Sequence, residues 1–219
     1  MGRVSALRNV RIFLYKRDRM KFVSHLDMNR FMTRILPLSK IPFWYTEGFN
    51  PHPYLTFALP LSLGFESEYE ILDIRVVDAN FTNEMVKESL NRVMPEYIQA
   101  YDVCDAVLKV GKIGFAEFRI TFSQYPDDLP QRLSAFLLQD SIIVEKTGKK
   151  GKVSTIDLAP RIKKFSLDAD EEKLTLTLTL PAGGADNVNP TLLLDAFGEL
   201  PYYRVCRMKV YDTEMNLFK

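Results

Sequence analysis

The sequence predicts an α+β protein built of two tandem ferredoxin-like (βαββαβ) halves, residues 1–110 and 111–219. Three observations predict it. Short β-rich runs alternate with stretches whose apolar residues recur at helical spacing, in the order β-α-β-β-α-β. A second round of similar length follows the first. Cys104 and Cys206 then fall in the last strand of each round, each soon after a helix and a proline. An apolar share of 47% over 219 residues is enough to give the chain real cores.

The elements follow in order. Val10-Arg11-Ile12-Phe13-Leu14-Tyr15 is short and β-rich, and reads as a strand. Ser24 caps a helix whose Met28, Phe31, Met32 and Ile35 fall at i, i+3, i+4 and i+7, one apolar face. Pro37 bounds that helix, and Pro42 ends the connector after it. Leu55–Leu59 and Ile71–Val77 are the next strands. Thr82 or Asn83 caps a second helix with Val86, Leu90 and Val93 as its buried stripe, and Pro95 stops it. Tyr97–Val107 returns as a strand. After a junction near Lys109–Gly114 come a strand at Phe115–Phe122 and a helix carrying Leu129, Leu133, Phe136 and Leu137. Extended segments follow at Ile142–Glu145 and Ile162–Leu167. Leu174–Leu180 alternates strictly, so one of its faces is apolar. Asn189-Pro190 opens a last helix, cap then proline, with Leu193, Ala196 and Phe197 facing inward, and Tyr202–Tyr211 closes the round.

A net charge of +1 hides an asymmetry. Residues 1–40 carry ten Lys/Arg against Asp18 and Asp27, and residues 41–105 carry eleven acids against Arg75, Lys87 and Arg92. A second basic cluster comprises Lys146, Lys149, Lys150, Lys152, Arg161, Lys163 and Lys164. Such blocks either make one polyanion-binding or docking face, or neutralise each other in the folded chain. Other classes are excluded. No run of 18 apolar residues spans a membrane, and the basic N-terminus lacks the apolar stretch and cleavage site of a signal peptide. Two histidines and two separated cysteines do not make a metal site. HExxH, GxSxG and a three-cysteine iron–sulfur loop are all absent. The expectation is a cytoplasmic protein with reduced thiols, no cofactor and no metal.

Two short stretches carry possible chemistry. In Phe22-Val23-Ser24-His25-Leu26-Asp27 the cap places His25 and Asp27 in the first helical turn, beside unpaired N–H groups that attract anions, with Arg30 and Arg34 one and two turns on. This is either a phosphate or carboxylate pocket with His25 as donor or proton carrier, or a plain capping pair with His25 half-exposed. In Gly48-Phe49-Asn50-Pro51-His52-Pro53 the glycine permits positive φ and the prolines fix their own φ and bias Asn50 and His52 toward extended geometry. The loop is therefore stiff. It is either an ordinary proline-rich connection or a platform that aims His52, Asn50, Tyr45 and Trp44 at a ligand. Two further segments read as ordinary structure. Glu66, Glu68 and Glu70 near Gly64 offset the basic block, and the Gly-rich loop before Asn189, without a Walker lysine, is a connection into a helix.

Together Arg11–Phe13, Lys21-Phe22-Val23-Ser24-His25-Leu26-Asp27, Arg30, Tyr45, Gly48–Pro53, Phe57-Ala58-Leu59-Pro60-Leu61, Gly64, Ser67-Glu68 and Asp73 resemble the radical-SAM-linked protein family. That is a domain of unknown function found alone, or fused behind radical-SAM proteins that carry a B12-binding domain. The resemblance is dense over residues 8–78 and looser beyond, where Asp157-Leu158-Ala159-Pro160 and Asn189-Pro190 take part. It implies a radical-SAM protein as partner. Stand-alone members are encoded beside such a protein, near a ribonuclease of the RNase G type and ribosomal proteins, which implies an RNA setting.

The expected function is a non-catalytic accessory or substrate-positioning protein that works with a radical-SAM enzyme in RNA modification or processing. Its binding residues are Arg11, Lys21, Ser24, His25, Asp27, Arg30, Tyr45, Asn50 and His52. Arg11, Lys21, Arg30, Arg34 and the Lys146–Lys164 cluster are then expected on one basic face, with Trp44, Tyr45 and Phe49 stacking on bases. Two alternatives stand beside it. One is a protein–protein docking module without nucleic acid, which needs an exposed apolar patch. The other is a metal-independent RNA-processing enzyme with His25 and His52 as catalytic acid and base, by fold-level analogy with Cas-type endonucleases. The expectation is that the two imidazoles meet in space.

Overall fold

The first run of β-branched and aromatic residues forms strand β1, Arg8–Lys16, at the start of the residues described by this computed structural model, which are 7–147, 153–184 and 186–219. The described chain divides into two units. One runs to Lys112 and takes in Phe218–Lys219, and the other is Ile113–Leu217. No described helix is long and apolar enough to cross a membrane.

In the first unit β1 leads through a 3-10 turn to helix α1, His25–Ile35, and then to strands β2, Leu55–Phe57, and β3, Glu66–Val76. Helix α2, Asn83–Asn91, and strand β4, Ile98–Asp105, complete it. The strands pair antiparallel in the order β4-β1-β3-β2. Period-two alternation divides the residues of β1. Val10, Ile12 and Leu14 join Leu72, Ile74 and Val76 of β3 under Met28 and Met32 of α1 and Val86 and Leu90 of α2, in one core cluster. Arg11 and Phe13 point to the other face. There Phe13 meets Tyr69 and Tyr101 with ring centroids 5.1 and 6.3 Å apart. Phe218 lies 4.5 Å from the Arg11 guanidinium, and its carbonyl accepts from Tyr69 Oη at 3.0 Å. Both faces of β1 are therefore buried.

The second unit opens on β5, Ile113–Phe122, followed by α3, Leu129–Leu137. Strands β6, Ile143–Thr147, and β7, Val153–Asp157, pair only with each other. Then come β8, Lys164–Ala169, β9, Leu174–Pro181, α4, Pro190–Phe197, and β10, Tyr203–Asp212. The antiparallel order is β10-β5-β9-β8. Leu174, Leu176, Leu178 and Leu180 are all buried, as their strict alternation requires.

Several local expectations need correction. Glu66, Ser67 and Glu68 begin β3, which starts ahead of the strand expected from Ile71, and Ser67 is fully buried. Val93 lies beyond the end of α2, and Met94 takes the buried place instead. Ala196 is exposed while Leu194 is buried, because the inward face of α4 turns one residue earlier than its pattern suggests. Lys149, Lys150 and Lys152 of the second basic cluster lie outside the described residues.

Candidate functional site

The first group of candidate residues gathers at the start of α1. Ser24 is extended, at φ −66° and ψ 161°, and its Oγ accepts from the Asp27 N–H at 3.1 Å. The same hydroxyl donates to Asp27 Oδ2 at 2.7 Å, and Asp27 Oδ1 accepts from Arg30 Nη1 at 3.3 Å. The carboxylate that an anion would replace is supplied by the helix itself. The capping arrangement is therefore the one present, and the first turn is not an open phosphate pocket. Removing the cap in Ser24→Ala is expected to cost about 0.5–2 kcal/mol. Chemical unfolding followed by the fluorescence of Trp44, the chain's single tryptophan, measures it, and an unchanged midpoint would contradict the assignment.

His25 is half-buried, with its ring edge-on to Phe57 at 5.8 Å. Asn29 Nδ2 spans both His25 O, at 2.8 Å, and Nε2, at 3.2 Å. An amide N–H can only donate, so Nε2 is the acceptor in this contact. Lys21 sits in the preceding 3-10 turn, its Nζ 5.3 Å from the centre of the Phe22 ring.

The second group lies on residues 43–54, which fold into a two-stranded arm. Phe43 bridges to Val76, and Trp44 N–H donates to Arg75 O at 2.9 Å, so the base of the arm hangs on β3. Tyr54 N–H donates to Trp44 O, Tyr45 bridges Pro53, and Thr46 N–H donates to His52 O. The Arg75 guanidinium lies 5.0 Å from the Trp44 ring and 4.2 Å from the Tyr54 ring, with the two rings 5.9 Å apart. This cation–π clamp stiffens the base. At the tip Gly48 takes φ +129°, a conformation that L residues rarely adopt. His52 N–H donates to Thr46 Oγ1 at 3.2 Å, and Nδ1 lies 3.0 Å from Asn50 O. A carbonyl oxygen only accepts, so that bond requires the proton on Nδ1. Glu47 through His52 are all exposed, and Phe49 is 104% exposed. The loop is thus a stiff connection whose tip, from Glu47 to His52, is exposed.

The two histidines have separate surroundings. Each ring has its own partners, and no ring contact or hydrogen bond joins them among the described residues. Phe57, in the strand that follows the arm, is what lies against His25. Arg11 is also misplaced by the expectation of a single basic face. It is fully buried, its Nε and Nη2 fork onto Asp73 Oδ1 and Oδ2 at 2.8 Å each, and Nη2 also donates to Leu108 O. Burial rules it out as a surface cation. Glu68 pairs with Arg17, so part of the acidic block does offset the basic one.

The Asp157-Leu158-Ala159-Pro160 stretch has a structural role. Asp157 Oδ1 accepts from the N–H groups of Ile142 and Ala159 at 2.8 and 3.1 Å, Oδ2 accepts from Ser141 Oγ at 2.9 Å, and Leu158 is buried. The Ile142 N–H first, then Ser141 and Ala159, hold the Asp157 carboxyl below its ordinary pKa. A depressed folded pKa adds stability above the unfolded value of about 3.9, and that stability is lost as pH falls through the folded value. Wild type should therefore exceed Asp157→Asn in Tm by more at pH 7 than at pH 2.5. An equal gap at both pH values would contradict the latch.

A cleft of about 430 Å³ runs along α1, lined by Asp27, Arg30, Phe31, Arg34, Ile35 and Leu38. Among the described residues no three His, Cys, Asp or Glu side chains form a metal-holding group. The Trp44–Arg75–Tyr54 clamp has no local signal in the sequence, and it leaves Trp44 half-buried while Phe49 is exposed, as stacking on a base requires. The signal for Phe49 was its place between a glycine and Asn-Pro, where no periodic pattern asks for a buried ring.

A family model described as "Uncharacterized protein conserved in bacteria (DUF2344)" matches residues 9–190. Curated proteins give no match. Among solved structures, a chain of "Crystal Structure of a Cbf5-Nop10-Gar1 Complex" is similar at 9% identity and a TM-score of 0.47, over 92% of this chain and 48% of that one. This chain spans about half the length of that solved chain, and the likeness is too slight to carry an argument.

Proposed function

The chain belongs to the DUF2344 family, and we propose that it is a non-catalytic accessory protein that holds single-stranded RNA for a radical-SAM partner enzyme. The observation that carries the reading is Phe49. A ring left wholly exposed on an arm that is otherwise clamped in place offers both of its faces for stacking. Bases splayed from single-stranded RNA stack on such a ring, and Tyr45, 45% exposed in the same arm, offers a second surface. The partner enzyme follows from the resemblance to the radical-SAM-linked proteins. The separate hydrogen-bond partners of His25 and His52 favour positioning over acid–base catalysis by that pair.

The reading of both units as ferredoxin-like has its own support. In the first unit β-α-β-β-α-β with strand order β4-β1-β3-β2 is the order that fold requires. In the second unit β5, α3, β8, β9, α4 and β10 repeat it as β10-β5-β9-β8, with the β6–β7 hairpin as an insertion.

The test is a titration of labelled single-stranded RNA oligomers by the purified protein at several salt concentrations. Wild type is expected to bind with an affinity that falls as salt rises, and Phe49→Ala to bind more weakly at every salt. Absence of binding at low salt would reject the RNA reading. A docking module without nucleic acid is then the reading that remains, favoured by the exposed Phe22, Leu26, Leu38 and Leu63.

A further inference from the structure

We propose that the helical face of the first unit is a docking groove for an acidic, amphipathic helical segment of a protein partner, distinct from the arm and independent of whether the arm binds RNA. The α1 cleft meets a second one of about 390 Å³ at Leu38, where a 3-10 turn over Leu36–Ser39 carries the chain past α2. The floor is aliphatic and aromatic, made by Phe31, Ile35, Leu38, Phe81, Met85 and Val93. Leu38 and Met85 are 66% and 44% exposed, and Phe31, Ile35, Phe81 and Val93 are half-buried. The rim is cationic. Arg30, Arg34, Lys40 and Arg92 line the two clefts, and the one acid among the lining residues, Asp27, is already held by Ser24 and Arg30. Arg34 and Lys40 have no ion-pair partner among the described residues.

That charge pattern selects the occupant. An apolar floor takes leucine or methionine side chains at i, i+3, i+4 and i+7 of a helix, and Met85 adapts its shape to them. Cations on the rim pair with Asp or Glu on the flanks of the same helix. From Asp27 to Ile35 the floor of the first cleft follows α1 for about 12 Å, the rise of about two helical turns, so even this part seats two rows of anchors. A nucleic acid would meet the cations but would leave the aliphatic floor uncovered.

The probe is a fluorescein-labelled synthetic helix of three heptads, with Leu at the first, fourth and fifth positions and Glu and Ala elsewhere. Its controls are a scramble of the same composition and a version with Lys in place of Glu. Anisotropy titrations of the full chain are expected to give binding by the acidic helix at least about fivefold tighter than by the scramble, and tighter again than by the Lys version. Arg34→Glu with Lys40→Glu, and separately Leu38→Asp, should each weaken it by about tenfold or more. Phe49→Ala should leave it unchanged, which separates this site from the arm. All of these positions are exposed, and thermal unfolding of each variant confirms that it is folded. The proposal is overturned if the acidic helix fails to bind or the scramble binds as well. It is also overturned if the groove variants bind like wild type, or if an RNA oligomer or a second copy of this chain occupies the groove in competition.

Discussion

Asp73→Ala is expected to destabilise the first unit by about 3–5 kcal/mol, the usual cost of stranding one member of a buried ion pair. Arg11 is the reason. Its side chain is 1% exposed, and the Asp73 side chain 15%. Asp73 takes two of its hydrogen bonds, Leu108 O takes a third, and Nη1 is buried with no hydrogen-bond partner among the described residues. The charge thus rests on Asp73 and on the face of Phe218. Without Asp73, a guanidinium that cannot lose its proton is left in an apolar layer with Phe13 and Tyr69. Replacing both partners in Arg11→Met with Asp73→Leu removes the charges together and should recover most of the loss. Urea unfolding followed at Trp44 reads this directly, since Trp44 N–H donates to Arg75 O of β3, two residues on from Asp73. A loss below about 1 kcal/mol in Asp73→Ala would contradict the account.

Phe49→Ala has the opposite signature, a large change in binding with none in stability. Base–aromatic stacking contributes about 1–3 kcal/mol per base, which is roughly a 5- to 150-fold loss of RNA affinity. The ring touches nothing that folding depends on, so the urea midpoint should move by no more than about 0.5 kcal/mol. Arg75→Ala sharpens the test. It leaves Phe49 in place but removes the cation packed against Trp44 and Tyr54, so RNA affinity should fall through loss of the arm's rigidity. Wild-type affinity in both variants would take the arm out of the account.

Much of the architecture is legible in local pattern. The i, i+3, i+4, i+7 spacing from Met28 and the cap at Ser24 suffice for α1, and the alternation from Leu174 suffices for β9. Where one residue type serves two purposes the pattern fails. Glu66, Glu68 and Glu70 hide the first half of β3, because they place carboxylates where apolar residues would announce a strand. Strand β7, Val-Ser-Thr-Ile-Asp, is too short and polar to stand out beside the lysines before it.

The candidate site was legible by composition but not by placement. Ser24, His25, Asp27 and Arg30 do share a helix end, as spacing along a helix guarantees. Tyr45, Asn50 and His52 do share an arm. Whether the two groups meet depends on how the arm leaves β3, and the clamp that sets this pairs Trp44 and Tyr54 with Arg75, more than twenty residues further on. Arg11 shows the same limit. Counting cations assigns it to a basic surface, yet its burial depends on Asp73 and on Phe218, far away in sequence.

The central claim is that the tip of the arm touches RNA, and photo-crosslinking tests it most directly. A single-stranded oligomer carrying 4-thiouridine, irradiated with the wild-type chain and mapped by peptide mass spectrometry, is predicted to mark residues 45–52. Cross-links confined to other surfaces, or none at a concentration where the oligomer is bound, would contradict it.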